Sequence, residues 1–232
     1  MRYAVVLSVS IVLVGACGDD DKEGGTNGGA SLYSTSQKDG TATYYDATGA
    51  GNCGFDATPN DLDVAAFDTA SYAGSAACGA CVRIKGPNGE VTVRIVDSCP
   101  GCDANHLDLS KSSFSKIAEP SRGRVSISFQ TVACNVDGPL AFHFKDGSSK
   151  YWTAIQIRNH RLPVSKVEYK RDGAFVEMKR EDYNYFVESK GVGDQPSGLV
   201  VRVTAADGQT VEDTLAGEAP NNATVNGTKN FD

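Results

Sequence analysis

Apolar and polar side chains alternate along most of this chain. Val91-Thr92-Val93-Arg94-Ile95-Val96, Val125-Ser126-Ile127-Ser128-Phe129, Ile155-Gln156-Ile157-Arg158 and Val201-Arg202-Val203-Thr204 largely change sides at each residue, as half-buried β-strands do. Turn signals separate them: Pro87-Asn88-Gly89, Asp137-Gly138-Pro139, Asp146-Gly147, Asp172-Gly173 and Asp207-Gly208. Only two stretches suggest short helices, Asn60 to Ala66 and Ser110 to Ala118, the second opening on Ser110 as an N-cap. The pattern predicts a mostly-β protein. Twenty-five glycines against two methionines and one tryptophan agree, and argue against a helical bundle.

The first residues follow a different pattern. Arg2 is a positive start, and Ala4 to Val14 form a short apolar run holding two serines. That run is too short to span a bilayer and reads as the apolar region of a signal peptide. It ends in Val14-Gly15-Ala16-Cys17, which resembles a bacterial lipobox, so residues 1–17 are expected to be a lipoprotein-type signal with Cys17 as the lipidated residue. Residues 18–30 are too polar and glycine-rich to offset the entropy of ordering, and read as a flexible tether. The expected setting is export, with membrane attachment only through the lipid.

Setting Cys17 aside leaves six of the seven cysteines: Cys53, Cys78, Cys81, Cys99, Cys102 and Cys134. The pairs Cys78-x2-Cys81 and Cys99-x2-Cys102 have zinc-ribbon spacing. Export, and the need of Cys53 and Cys134 for partners, favour three disulfides instead. Six cysteines allow about fifteen pairings, so spacing alone leaves the connectivity open. His106, His143 and His160 are scattered and lack a carboxylate-rich cage, so neither a metal nor a cofactor is expected.

All six cysteines precede the turn Val136-Asp137-Gly138-Pro139. That asymmetry predicts a disulfide-stapled domain over 31–137, an unstapled second domain over 138–218 and a polar tail over 219–232. Asn222-Ala223-Thr224 and Asn226-Gly227-Thr228 fit the glycosylation pattern, but behind a bacterial-type lipobox they read as surface loop. Lys+Arg 22 against Asp+Glu 29 gives a net charge of −7, which excludes a sequence-independent nucleic-acid binder. It also disfavours uniform electrostatic adhesion to acidic polymers.

Candidate chemistry gathers in the first domain. Thr43-Tyr44-Tyr45-Asp46, Val96-Asp97-Ser98-Cys99 and His106-Leu107-Asp108-Leu109-Ser110 bring three carboxylates to strand ends, flanked by hydroxyls and aromatics that suit a sugar groove. Glycoside cleavage needs a proton donor and, for inversion, a second carboxylate that activates water from the opposite face. Taken singly each aspartate is as readily a turn or capping residue, Asp108 included.

Longer stretches carry a resemblance. Gly40-Thr41-Ala42-Thr43-Tyr44, Val96-Asp97 and Leu107-Asp108-Leu109-Ser110 are followed by Lys145-Asp146-Gly147-Ser148-Ser149-Lys150-Tyr151-Trp152-Thr153-Ala154-Ile155-Gln156-Ile157-Arg158-Asn159-His160 and by Glu181-Asp182-Tyr183-Asn184-Tyr185-Phe186-Val187. In order and spacing the chain from about Gly40 to Ala216 resembles the bacterial expansins, which loosen plant cell walls. The resemblance implies a six-stranded double-psi β-barrel followed by an immunoglobulin-like β-sandwich that binds carbohydrate. The cysteines and His106-Leu107-Asp108 look more like the plant expansins and the related family 45 endoglucanases. That likeness implies the pairs Cys53–Cys78, Cys81–Cys134 and Cys99–Cys102.

Carried over by residue, Asp108 matches the essential expansin aspartate, the general acid of the endoglucanases, with Asp97 and Thr43 as polar groove residues and Tyr44 beside them. Cys99 stands where bacterial expansins often have a groove tyrosine, and Tyr45 replaces a threonine. In the sandwich, Tyr151, Trp152 and Tyr183 match the aromatics of a flat binding face, with Lys145 at its side. Adjacent strand residues point to opposite faces, so Tyr151 and Trp152 cannot both enter a core from a regular strand.

The resemblance implies a monomer that binds cellulose, xyloglucan-like or other wall glucans and loosens them without hydrolysis. Asp46 complicates this, because it stands where the endoglucanases carry their general base; as a turn residue it has no such role. Two rivals follow: an inverting endoglucanase or peptidoglycan lytic enzyme with Asp108 as acid and Asp46 as base, or a carbohydrate-binding adhesin with an inert barrel.

Overall fold

A computed structural model describes residues 36–216 and 220–232, besides Met1; the signal, Cys17 and the tether lie outside these residues. Six strands come first: β1 Lys38–Tyr45, β2 Val64–Asp68, β3 Cys81–Lys85, β4 Glu90–Cys99, β5 His106–Ser110 and β6 Val125–Val132. They close into a barrel in the order β1-β5-β2-β4-β3-β6. β1 and β5 run parallel, as do β2 and β4, and the other neighbours are antiparallel. These two interleaved parallel pairs make the double-psi barrel.

Period two decides what fills it. On β4, Val91, Val93 and Ile95 are buried, while Glu90 and Thr92 are exposed and Arg94 is half-buried. Val82 and Ile84 of β3, Leu107 and Leu109 of β5 and Ile127 and Phe129 of β6 join the same core. Each such side chain contributes roughly 1.5–3 kcal/mol on burial. Helix α1 (Thr69–Tyr72) is capped by Asp68. Helix α2 (Lys111–Ile117) packs Phe114 and Ile117 into the core, and Ser110 Oγ caps it by accepting from Ser113 N at 3.1 Å.

The other expected helix does not form. Val64 to Ala66 belong to β2, which lies between β5 and β4 and is buried along its whole length. A short apolar run buried on both faces has no alternation to distinguish strand from helix.

Disulfides join Cys53–Cys78, Cys81–Cys134 and Cys99–Cys102. The two cysteines of the Cys78-x2-Cys81 pair thus part company, and the zinc-like spacing holds no common site. Closing a loop of 53 residues, as Cys81–Cys134 does, restricts the unfolded chain by about 4 kcal/mol in the chain-entropy account.

Nine further strands follow: β7 Ala141–Phe144, β8 Thr153–Arg158, β9 Val164–Arg171, β10 Ala174–Glu177, β11 Lys179–Arg180, β12 Phe186–Glu188, β13 Leu199–Ala205, β14 Thr210–Leu215 and β15 Ala223–Asn226. They form two sheets, β10-β9-β13-β14 and β11-β12-β8-β7-β15. Phe142, Phe144, Ile155 and Ile157 from one meet Val167, Tyr169, Val201 and Val203 from the other in a cysteine-free core. The expected polar tail needs correction. β15 pairs with β7, placing Val225 opposite Phe142, and Phe231 is buried in the sandwich core. Its alternation is half-buried against exposed, which leaves an edge strand with little signal in the sequence.

Candidate functional site

The parallel pairing of β1 with β5 sets Thr43 opposite Asp108. Thr43 Oγ1 donates to Asp108 Oδ1 at 2.5 Å and lies 2.8 Å from His106 Nε2. A threonine hydroxyl has one proton, and a carboxylate only accepts. With Thr43 donating to Asp108, His106 Nε2–H therefore donates to Thr43, leaving Nδ1 bare. Nδ1 is buried with no partner among the described residues. Burial lowers the pKa of His106 and the positive charge of Arg124 adds to this, against the pull of Asp108, Asp103 and Asp68. Burial and Arg124 thus favour the neutral ring.

Asp97, near the end of β4, is fixed differently. Its Oδ1 accepts from Asn52 N at 2.7 Å and from Ser98 N at 2.8 Å. The approach requires a glycine before Asn52: a Cβ on Gly51 would lie 2.5 Å from the Asp97 carboxyl carbon.

The groove tyrosine is not the one expected. Tyr44 turns away and packs on Phe114, with ring centroids 5.0 Å apart. Tyr45 shares the face of Thr43, two residues on. Its hydroxyl is buried without a partner among the described residues, and its pKa is pushed up to about 12 by burial and by the charges of Asp97 and Asp108. It remains a proton donor at any working pH. Tyr45 and His106 stand beside Thr43 and Asp108, and the resemblance gives neither of them a role. Each lies two positions from an expected one, so the period-two rule was the signal that points to them.

Asp46 follows the last residue of β1, exposed and without a hydrogen bond or ion pair among the described residues. It lies three residues beyond Thr43, about 10 Å along a strand and on the opposite parity. Ala47 N donates to Tyr45 O at 3.0 Å around it, so Asp46 stands at a surface turn.

In the sandwich, Tyr151 and Trp152 occupy a tight turn before β8, closed by Ser149 N donating to Trp152 O at 2.7 Å. Tyr151 is 74% exposed. Trp152 is half-buried and outside the core cluster, so it is no core tryptophan. In the β8 strand that follows, Ile155 and Ile157 enter the core, while Ala154 and Gln156 are buried outside that cluster. Lys145 Nζ lies 5.9 Å from the ring centre of Tyr183 and 5.2 Å from that of Tyr185, both in the connection between β11 and β12. Tyr183 and Tyr185 have centroids 5.9 Å apart.

Polar contacts tie this region to the groove. Asn52 Nδ2 donates to Asp182 O at 3.3 Å, and Tyr72 Oη donates to the same carbonyl at 2.7 Å. Gln156 Nε2 and Asn184 Nδ2 both donate to Cys53 O, at 2.9 and 3.1 Å. Tyr183 is therefore flanked by two residues bonded to the loop that positions Asp97.

His160 is buried in the same seam. Its Nδ1–H donates to Leu162 O at 2.8 Å, and a Cβ on Gly79 (φ +75°) would come within 2.4 Å of its Nε2. Burial pushes its pKa down from 6.5 to about 4, with Arg180 and Arg94 lowering it further and the bond to Leu162 opposing. The unfolded chain takes up this proton near pH 6.5 and the folded chain only near pH 4. This contribution to stability is complete above pH 6.5 and is lost as pH falls to 4, about 3 kcal/mol in all. Urea unfolding at pH 7 and pH 4 should show His160→Gln losing that much less than the parent on acidification. Equal losses would show that the ring is not held neutral by the seam.

Comparison with known proteins agrees with this geometry. A family model described as lytic transglycolase matches residues 26–129. The chain is 37% identical over 186 residues to Expansin-YoaJ of Bacillus subtilis (strain 168), covering 76% of this chain and 77% of that protein. It is 34% identical over 188 residues to Expansin-like protein 5 of Dictyostelium discoideum, covering 75% and 77%. The crystal structure of an apo expansin of Clavibacter michiganensis matches 85% of this chain and 98% of its own, at 30% identity and a TM-score of 0.75. A mutant of that expansin in complex with cellohexaose matches equally well.

Proposed function

The chain belongs to the expansin family, and on that premise we propose that it is exported, binds cellulose and related wall glucans, and loosens their packing without cleaving glycosidic bonds. One observation carries the site assignment: the Asn52 side chain bonds to Asp182, beside Tyr183, while its backbone N–H holds Asp97. Groove and aromatic face are thereby parts of one surface. In this reading Trp152, Tyr183 and the exposed Tyr151 rest on a flat glucan surface, with Lys145 beside them. Asp108, Asp97 and Thr43 grip a single chain.

Such a grip competes with glucan–glucan hydrogen bonds, each worth only about 1 kcal/mol net. Holding one chain out of register is enough to open a lateral contact. Hydrolysis has no second carboxylate to run on: Asp46 is exposed past the strand end, and one oxygen of Asp97 is occupied by backbone N–H groups. A creep assay on cellulose paper, run beside a reducing-sugar assay on amorphous cellulose and on peptidoglycan, tests this. Extension without new reducing ends is the expected result, and release of reducing ends would overturn it.

The lipobox-like start supports a lipid anchor at Cys17. Cys17→Ser should move the protein from the detergent phase to the aqueous phase on Triton X-114 partitioning. An unchanged distribution would refute the anchor.

A further inference from the structure

A second recess lies in the seam between barrel and sandwich, apart from the groove. It has a volume of about 500 Å³ and takes Phe55, Asp61 and Arg94 from the barrel, Asn135 from the connection, and Arg158 and His160 from the sandwich. None of Thr43, Tyr45, Asp97, His106 and Asp108 lines it. Its size is that of a small-molecule site, with room for a disaccharide.

The groups around it are unequal in what they have left to bond. Arg158 is committed, its Nε donating to Gln156 Oε1 at 2.6 Å and its Nη1 to Asp56 Oδ2 at 2.7 Å. His160 is neutral and bonded to Leu162. Arg94 stands over the Phe55 ring at 5.4 Å, and its guanidinium has no hydrogen bond or ion pair among the described residues. Burial lowers its pKa, and Arg158 does so too, with Asp61 opposing. Asp61 is exposed, and its carboxylate accepts only a long 3.4 Å bond from Asp63 N.

The recess thus presents one desolvated, unpaired guanidinium and one uncommitted carboxylate. A guanidinium removed from water is restored best by a carboxylate that accepts two of its N–H groups. A free carboxylate is matched by hydroxyl donors. Uronic acids carry both on one ring. We propose that this recess is a second saccharide site, selective for a uronate residue, whose carboxylate Arg94 holds while Asp61 accepts from the ring hydroxyls. It is independent of the groove and needs no net positive surface, which this acidic protein lacks.

Calorimetric titration of the full chain with digalacturonate, cellobiose and acetate tests the assignment. Digalacturonate should bind saturably, at least tenfold tighter than either cellobiose or acetate. Arg94→Gln should weaken it tenfold or more, while Asp108→Asn leaves it unchanged. Arg94→Lys keeps the charge but not the fork, and should weaken it at least fivefold with an unaltered melting temperature, which covers the case where the glutamine variant does not fold. Absence of saturable binding, equal binding of cellobiose or acetate, loss in Asp108→Asn, or full affinity in Arg94→Lys would each overturn the proposal. Failure here leaves cellulose creep untouched, because that reading rests on the groove.

Discussion

Asp108→Asn should reduce creep of cellulose paper at least tenfold while leaving adsorption to cellulose within about twofold of the parent. Asparagine is nearly isosteric, so Thr43 can still donate to the side-chain oxygen where it now meets Asp108 Oδ1. The other oxygen changes most. It is replaced by an NH₂ that donates, so glucan hydroxyls lose a charged acceptor. A hydrogen bond to a charged group is worth about 1.5–3 kcal/mol, which is roughly ten- to a hundredfold in grip. Adsorption is expected to survive, because the proposed reading assigns it to the aromatics of the sandwich. Creep at the parent rate in Asp108→Asn would show that the groove is not the active element. Adsorption falling in step with creep would make the groove the main anchor instead.

Replacing Trp152 and Tyr183 together by alanine should weaken adsorption to cellulose about a hundredfold. Stacking on a pyranose ring removes on the order of 60–80 Å² of apolar surface per aromatic from water, or about 1.5–2 kcal/mol each at 25 cal/mol per Å². Two rings give about 3 kcal/mol, two decades in Kd. Trp152 is half-buried, so Trp152→Phe is the control: it keeps a ring on the same turn and should retain most of the affinity. Binding isotherms by depletion on microcrystalline cellulose measure this. An unchanged isotherm for the double variant with an intact melting curve would remove the sandwich from the binding role.

Alternation made the strands legible. Val91, Val93 and Ile95 enter the core as their spacing requires, and the Ser110 cap starts α2 where it stands in the chain. The same rule, taken one step further from Thr43 and Asp108, leads to Tyr45 and His106, a step the sequence reading did not take. Family likeness drew attention to Tyr44 instead, and the register of β1 sets that tyrosine against Phe114. β2 was hidden because both its faces are covered, and β15 because an edge strand with one half-buried face resembles a polar loop.

Local chemistry and local periodicity were enough to determine a β-rich chain and most of the side chains that fill its two cores. These depend only on which side chains stand two positions apart and on what each can donate, accept or bury. The tertiary structure alone decided which of them meet. Thr43 reaches Asp108 across 65 residues, and Asn52 joins the groove to the aromatic face across 130. Such contacts, like the neutral His160 and the unpaired Arg94 of the seam, arise from chain closure and desolvation, and neither of these is a property of any short stretch of sequence.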